Sequence, residues 1–500
     1  MISCSLPLAC LAVLMPIGLV HASSVLFTGG TIIAFDDATN DLDVIRNGTL
    51  LINNDRIAGI WPADERHTVP VPSDVEVIDA AGKILSPGFV DTHRHGWQTL
   101  YKTLTSNTTI SEYFARYGEY TAAGRLDAEQ VYIQLAGLYE GLNAGTTTSL
   151  DHAHHTWSDK TSYAGLNASF DSGARVFWAH AFHEVINYTI SQQLANFRNI
   201  ANDVSFENTT VSLGVACDLF DTVGLGSSVD PALVTAVFDL AKEVNVSVIT
   251  THSSGGPYGH MLNTRIPVVF SHATHIAYED AILLWSTNQH ISITPETEMA
   301  LAIGFPHSAW IMDQASLGVD SHGMVSTDIV TQARMWLQTT RLRINDHLLE
   351  EWIIPSSTPM SVVQAFLLAT RNGGLALRRP DLGVLSVGAK ADVIIWDGTS
   401  PSMLGWIDPV AAIILHSNVG DVEYVLVDGR FVKRDYKLVA KGYDNVKLRF
   451  LEAARRVQDD WREFPYPERQ EFFTTGARFQ DPVQVDVVAG DGTGYGRLYV

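Results

Sequence analysis

The sequence predicts an α/β fold, a (β/α)8 barrel inserted into a small β-sandwich that the two chain ends build together. Three observations carry this. Between about residues 86 and 375, apolar runs of five to eight residues alternate with amphipathic stretches, the βα rhythm of a parallel sheet. Short strand-like runs separated by Gly, Asn and Asp lie on both sides of that region, so the smaller unit needs both ends of the chain. Several predicted barrel strands close in His or Asp, and the carboxyl ends of its strands are where such a barrel places its chemistry.

Residues 1–22 carry no charge, are nearly all apolar from Leu6 to Val20, and end in Val20-His21-Ala22. This reads as a signal peptide cleaved after Ala22. An uncleaved anchor is the alternative, although the apolar core is shorter than the ~20 residues that span a bilayer, so no stable membrane span is expected. Cys4 and Cys10 leave with this segment, and the mature chain keeps Cys217, a single thiol that cannot close an internal disulfide. Asn-x-Ser/Thr sequons at Asn47, Asn107, Asn167, Asn187, Asn208 and Asn245 add an expectation of secretion with N-glycosylation.

Residues 23–85 form the first part of the sandwich, with strands at 24–27, 31–34, 48–52 and 56–60. Residues 379–440 complete it with strands at 391–397, 411–415 and 422–433. The barrel spans 86–378, its strands at 87–93, 146–153, 175–181, 211–219, 246–252, 267–272, 290–294 and 315–320. Residues 441–500 carry an amphipathic helix from about Asn445 to Arg462 and a tail rich in Asp, Gly and Pro. Their expected role is to pad the barrel or to form an oligomer contact.

The chemistry is concentrated at strand ends. In Pro87-Gly88-Phe89-Val90-Asp91-Thr92-His93-Arg94-His95 an apolar strand run ends in two histidines one residue apart. Side chains i and i+2 of a strand point the same way, so His93 and His95 can converge on one cation. Taken alone, such a pair can equally be two buried, hydrogen-bonded imidazoles. Strand five closes in His252, strand six in His272 with His275 following, and strand eight in Asp320. Together they form a nitrogen and oxygen set suited to one divalent ion, zinc ahead of iron or manganese.

Pro-Gly-Phe-Val-Asp-Thr-His-x-His, preceded by Val77-Ile78-Asp79-Ala80-Ala81-Gly82-Lys83, resembles the first barrel strand of the amidohydrolase superfamily, in its cytosine-deaminase-like and triazine-hydrolase-like branch. Leu382-Gly383-Val384-Leu385-Ser386-Val387-Gly388-Ala389-Lys390-Ala391-Asp392-Val393-Ile394-Ile395 resembles the returning segment of that family, and Val425-Leu426-Val427-Asp428-Gly429-Arg430 its last sandwich strand. The likeness covers roughly residues 24 to 440. It implies that His93, His95, His252 and Asp320 bind one metal, that His272 polarises the substrate, and that Asp320 also accepts a proton from water. It further implies attack of a metal-bound hydroxide on a carbon bearing nitrogen, with an amine or ammonia leaving. Strand four ends in Val215-Ala216-Cys217-Asp218 without a lysine, which favours a single metal over the bridged pair of other branches.

Two departures from the family pattern stand out. The family glutamate three residues after the strand-five histidine is replaced by Gly255, so Glu296, Glu298 or His275 would have to move the proton to the leaving group. Only Gly255 to Arg265 are free to cross from strand five to strand six, so the fifth helix is expected to be short or missing. Trp97, Tyr101, Trp157, Trp178, Phe182 and Tyr258 follow strand ends, where they either stack on a flat substrate or fill the core.

A net charge of −22 over 500 residues excludes nucleic acid as the expected partner, because phosphate-tracking surfaces need clustered Lys and Arg. With 46% hydrophobic and 18% charged residues, the chain can bury a large core. The expected activity is hydrolysis of a non-peptide C–N bond in a small, heteroaromatic or secondary-metabolite substrate, with a homo-oligomer left open. The alternatives are a metal-dependent decarboxylation, hydration or isomerisation in a biosynthetic route, and an inactive binding homologue.

Overall fold

The computed structural model describes residues 24–65, 69–218, 231–253, 264–303, 312–440, 442–465 and 478. The leader, Gly255, Tyr258 and most of the segment between strands five and six lie outside the described residues.

The N-terminal part forms β1 (Val25–Asp36), β2 (Asp41–Asn53), β3 (Arg56–Pro62), β4 (Glu76–Asp79) and β5 (Ile84–Pro87). The barrel follows as β6 (Phe89–His95), β7 (Thr146–Ala153), β8 (Arg175–Phe182), β9 (Val211–Cys217), β10 (Ile249–Ser253), β11 (Val268–His272), β12 (His290–Ile293), β13 (Ala315–Leu317) and β14 (Asp320–Ser321). The chain then returns to the first sheet with β15 (Val393–Trp396), β16 (Val422–Val427), β17 (Arg430–Arg434) and β18 (Lys437–Leu438).

The barrel strands pair in parallel in the order β13-β12-β11-β10-β9-β8-β7-β6-β14. Here β13 and β14 are the two halves of strand eight, interrupted at Gly318-Val319. Gly318 N–H donates to Ile293 and Val319 N–H to His93, so the interruption hands the strand from one neighbour to the other and closes the barrel. Asp91 secures the seam by accepting from the backbone N–H of His93 at 3.2 Å and of Val319 at 3.1 Å. Crossover helices start where the sequence caps them. Ser158 accepts from Thr161 N–H before the helix Asp159–Ser172, and Thr189 from Gln192 N–H before Ile190–Asp203.

Strands from both chain ends form one nine-stranded sheet, β18-β17-β16-β15-β5-β1-β2-β3, with β4 on β1. On a flat sheet β1 and β16 would stand ~14 Å apart across β15 and β5. The rings of Phe27 and Tyr424 nevertheless meet at 6.4 Å, so the sheet curls around a core of its own. Gly29-Gly30 does not break β1 as expected; a register shift there bends one long strand instead. The strand expected at 411–415 is helical. Asp408 accepts from the N–H groups of Val410 and Ala411, and Pro409 opens the turn, so the cap outweighs the apolar run.

Two links tie the units together. Arg175, at the start of β8, donates to both carboxylate oxygens of Asp392 and lies 2.5 Å from Asp428. These aspartates belong to the Ala-Asp-Val and Val-Asp-Gly motifs, whose charges thus serve the interface. The helix Tyr443–Glu463 packs Trp461 against Tyr101 at 4.9 Å, and the indole N–H donates to the Arg116 carbonyl.

Candidate metal and catalytic site

The ends of β6, β10, β11 and β14 bring His93, His95, His252, His272 and Asp320 together. His93 and His95 Nε2 lie 3.5 and 3.2 Å from Asp320 Oδ1, and His95 Nε2 lies 3.2 Å from His252 Nε2. His272 Nε2 stands 4.0 Å from Asp320 Oδ2. Both His272 and Asp320 have left-handed backbones, with φ of 68° and 65°, a strained conformation held where strands end abruptly.

Hydrogen bonds orient the rings. His95 Nδ1 lies 3.0 Å from the His152 carbonyl, which can only accept, so Nδ1 carries the proton and Nε2 keeps its lone pair. His252 Nδ1 lies 3.0 Å from Asp218 Oδ2, which favours the proton there and leaves Nε2 basic as well. His93 Nδ1 faces the Ser271 hydroxyl at 2.7 Å, while its buried Nε2 has no hydrogen-bond partner among the described residues. His95 Nε2 thus lies 3.2 Å from both His252 Nε2 and Asp320 Oδ1, and His93 Nε2 lies 3.5 Å from the same carboxylate oxygen. Each of these three separations is the length expected between two ligand atoms that share a cation at bonds of ~2.0–2.1 Å. These residues fit a divalent cation.

Burial pushes the His93 and His95 imidazoles below their ordinary range, which favours the neutral form that a cation would require. Burial opposes the charge on Asp320, but its contacts with His93 and His95 hold the carboxyl well below the usual range. For His272, burial is outweighed by Glu298 and Asp320, and its pKa rises.

The other expected residues separate. Glu298, fully buried, lies 3.3 Å by Oε1 from His272 Nδ1 and also accepts from Thr294 N–H at 2.9 Å. It orients His272 rather than projecting into the cation cluster. Glu296 instead pairs with Gln332, accepting from its side-chain amide at 2.8 Å, and stands apart from the cluster. His275 is exposed. Trp97, Tyr101, Trp157, Trp178 and Phe182 are buried, and the first three pack edge-to-face, so they belong to the core.

A second group was passed over in the sequence. His152 and His154, at the end of β7, meet Asp218 after β9, with Glu119 behind His154. The signal was present, since His152-Ala153-His154 repeats the spacing of His93-Arg94-His95. Burial drives His152 down to about 3. For His154 burial acts the same way, but Glu119 and Asp218 together carry it up to about 10.

Several known proteins are similar to this chain. A 5'-deoxyadenosine deaminase of Methanothermobacter thermautotrophicus is 25% identical over 434 residues, 83% of this chain and 94% of that protein. An adenosine deaminase from Xanthomonas campestris, solved with bound zinc, superposes with a TM-score of 0.74 at 16% identity, covering 88% of this chain and 99% of the other. Atrazine chlorohydrolase from Arthrobacter aurescens, complexed with zinc, gives 0.69 at 17% identity, covering 86% and 100%. Residues 84–432, from β5 into β17, match the Amidohydrolase family, and this chain belongs to that family.

Proposed function

We propose that this chain is a metal-dependent hydrolase of a non-peptide C–N bond in a small aminated substrate, with one catalytic zinc held by His93, His95, His252 and Asp320. The facing Nε2 lone pairs of His95 and His252, 3.2 Å apart beside Asp320, carry the proposal, because without a shared cation they repel. A bound divalent cation would supply Lewis acidity and bring the pKa of a coordinated water from 15.7 to about 7. Asp320, ionised and touching two of the ligands, is placed to accept the proton. His272, held through Nδ1 by Thr294 and Glu298, presents Nε2 to the oxygen that gains charge as nitrogen is displaced. The deoxyadenosine- and adenosine-deaminating relatives support an aminated heteroaromatic ring as the substrate class.

The test pairs elemental analysis with ammonia release from aminopurine, aminopyrimidine and aminotriazine substrates. We expect zinc in the purified protein, ammonia from at least one ring class, and, in His93→Ala and Asp320→Asn, loss of the ammonia release together with the zinc that these residues hold. Zinc-loaded protein that releases neither ammonia nor amine from any of them overturns the hydrolytic reading.

Secretion with N-glycosylation is part of the same proposal, supported by the exposure of all six sequon asparagines. Among the described residues no helix is long and apolar enough to cross a membrane. A mass shift on glycosidase treatment of protein from a eukaryotic secretory host is expected; unmodified, cell-retained protein contradicts it.

A further inference from the structure

We propose that the chain holds a second divalent cation beside the first, ligated by His152, His154 and Asp218. This rests on the preceding reading for the cation at His93, His95, His252 and Asp320.

Asp218 Oδ2 is surrounded by three imidazole nitrogens, His152 Nε2 at 3.2 Å, His154 Nε2 at 3.6 Å and His252 Nδ1 at 3.0 Å. His152, His154 and Asp218 each offer one ligand atom within 4.8 Å of the others, while His252 sets its Nδ1–H against the same carboxylate oxygen. These spacings again match coordination edges of ~3.3 Å for bonds of ~2.0–2.1 Å.

Alignment separates a cation from a proton. Among the described residues, both nitrogens of His152 and both of His154 are buried without a hydrogen-bond partner, although His154 Nε2 is only 2.8 Å from Glu119 Oε2. Nitrogen and oxygen atoms so close, yet not along a hydrogen-bond line, are arranged as neighbours around a shared centre. A protonated His154 between Glu119 and Asp218 would satisfy the charge but would leave the fully buried His152 Nε2 aimed at Asp218 unexplained. The two carboxylates offset a 2+ charge, and the N2O ligand set is of the kind that takes zinc.

The two sites are coupled through Asp218. Its Oδ1 accepts the backbone N–H of His252 at 2.9 Å, so a cation on Oδ2 would fix the residue that ligates the first cation.

The test uses the native chain purified without chelator, equilibrated with zinc, desalted, and analysed for metal content and for anomalous scattering at the zinc edge in crystals. We expect two zinc equivalents and two anomalous peaks, one at each cluster. His154→Gln and His93→Ala should each lose one equivalent and keep the other peak. One peak at His93, His95, His252 and Asp320 alone overturns the second site and leaves the first reading intact. A peak at His152, His154 and Asp218 alone supports the second site and overturns the first. No peak at all overturns both, and because native protein decides, a misfolded variant cannot mask the result.

Discussion

Glu298 Oε1 stands 3.3 Å from His272 Nδ1, a buried carboxylate against the imidazole that closes β11. Partners of this kind set ring orientation and tautomer. Glu298→Gln should therefore lower kcat by about 10–100-fold with KM little changed and zinc retained. A variant with unaltered kcat on an aminated ring that the parent hydrolyses would show that Thr294 alone suffices.

Arg175 holds barrel and end sheet together through Asp392, at 2.9 and 3.0 Å, and Asp428. Removing one partner of a buried pair strands the others. Arg175→Ala should lose about 3–5 kcal/mol of stability in chemical denaturation. Arg175→Lys should also be destabilising, because an ammonium cannot reproduce the fork. A change below about 1 kcal/mol for Arg175→Ala would mean that water replaces the guanidinium.

Gly318 is where strand eight passes strand one. A Cβ there would stand 2.8 Å from the backbone N and O of His93 and from Ser292 Oγ. Backbone atoms of a closed barrel cannot retreat, so Gly318→Ala should cost about 1–3 kcal/mol and shift His93. Melting temperature and zinc content should fall together; normal values for both would show that the seam can open.

His290, buried at the start of β12, is pushed down to about 4 by burial, ahead of the repulsion from Arg378. Its unfolded value is 6.5, so between pH 6.5 and about 4 the unfolded chain binds more protons than the folded one. Stability from this residue is present above pH 6.5 and falls as pH drops through that window, by up to about 3 kcal/mol. Metal-free His290→Asn should show a shallower slope of stability against pH than the metal-free parent; parallel slopes would locate the acid sensitivity elsewhere.

The barrel strands, His93, His95, His252, His272 and Asp320 were legible because their signals are local. Alternation of period two aims His93 and His95 at one side, and apolar runs show where strands stop and polar ends begin. The helical turn at 409–416 was not legible, because its apolar run reads as a strand until the Asp408 cap is weighed against it. Tertiary structure alone decided which distant groups meet. The pairing of Glu298 with His272, the turning of Glu296 to Gln332, the Arg175 link, and the gathering of His152, His154 and Asp218 all depend on the closure of β6 to β14 around a common axis. Local patterning sets the face on which a side chain emerges, while the closed ring of strands sets its neighbours, and metal coordination depends on the neighbours.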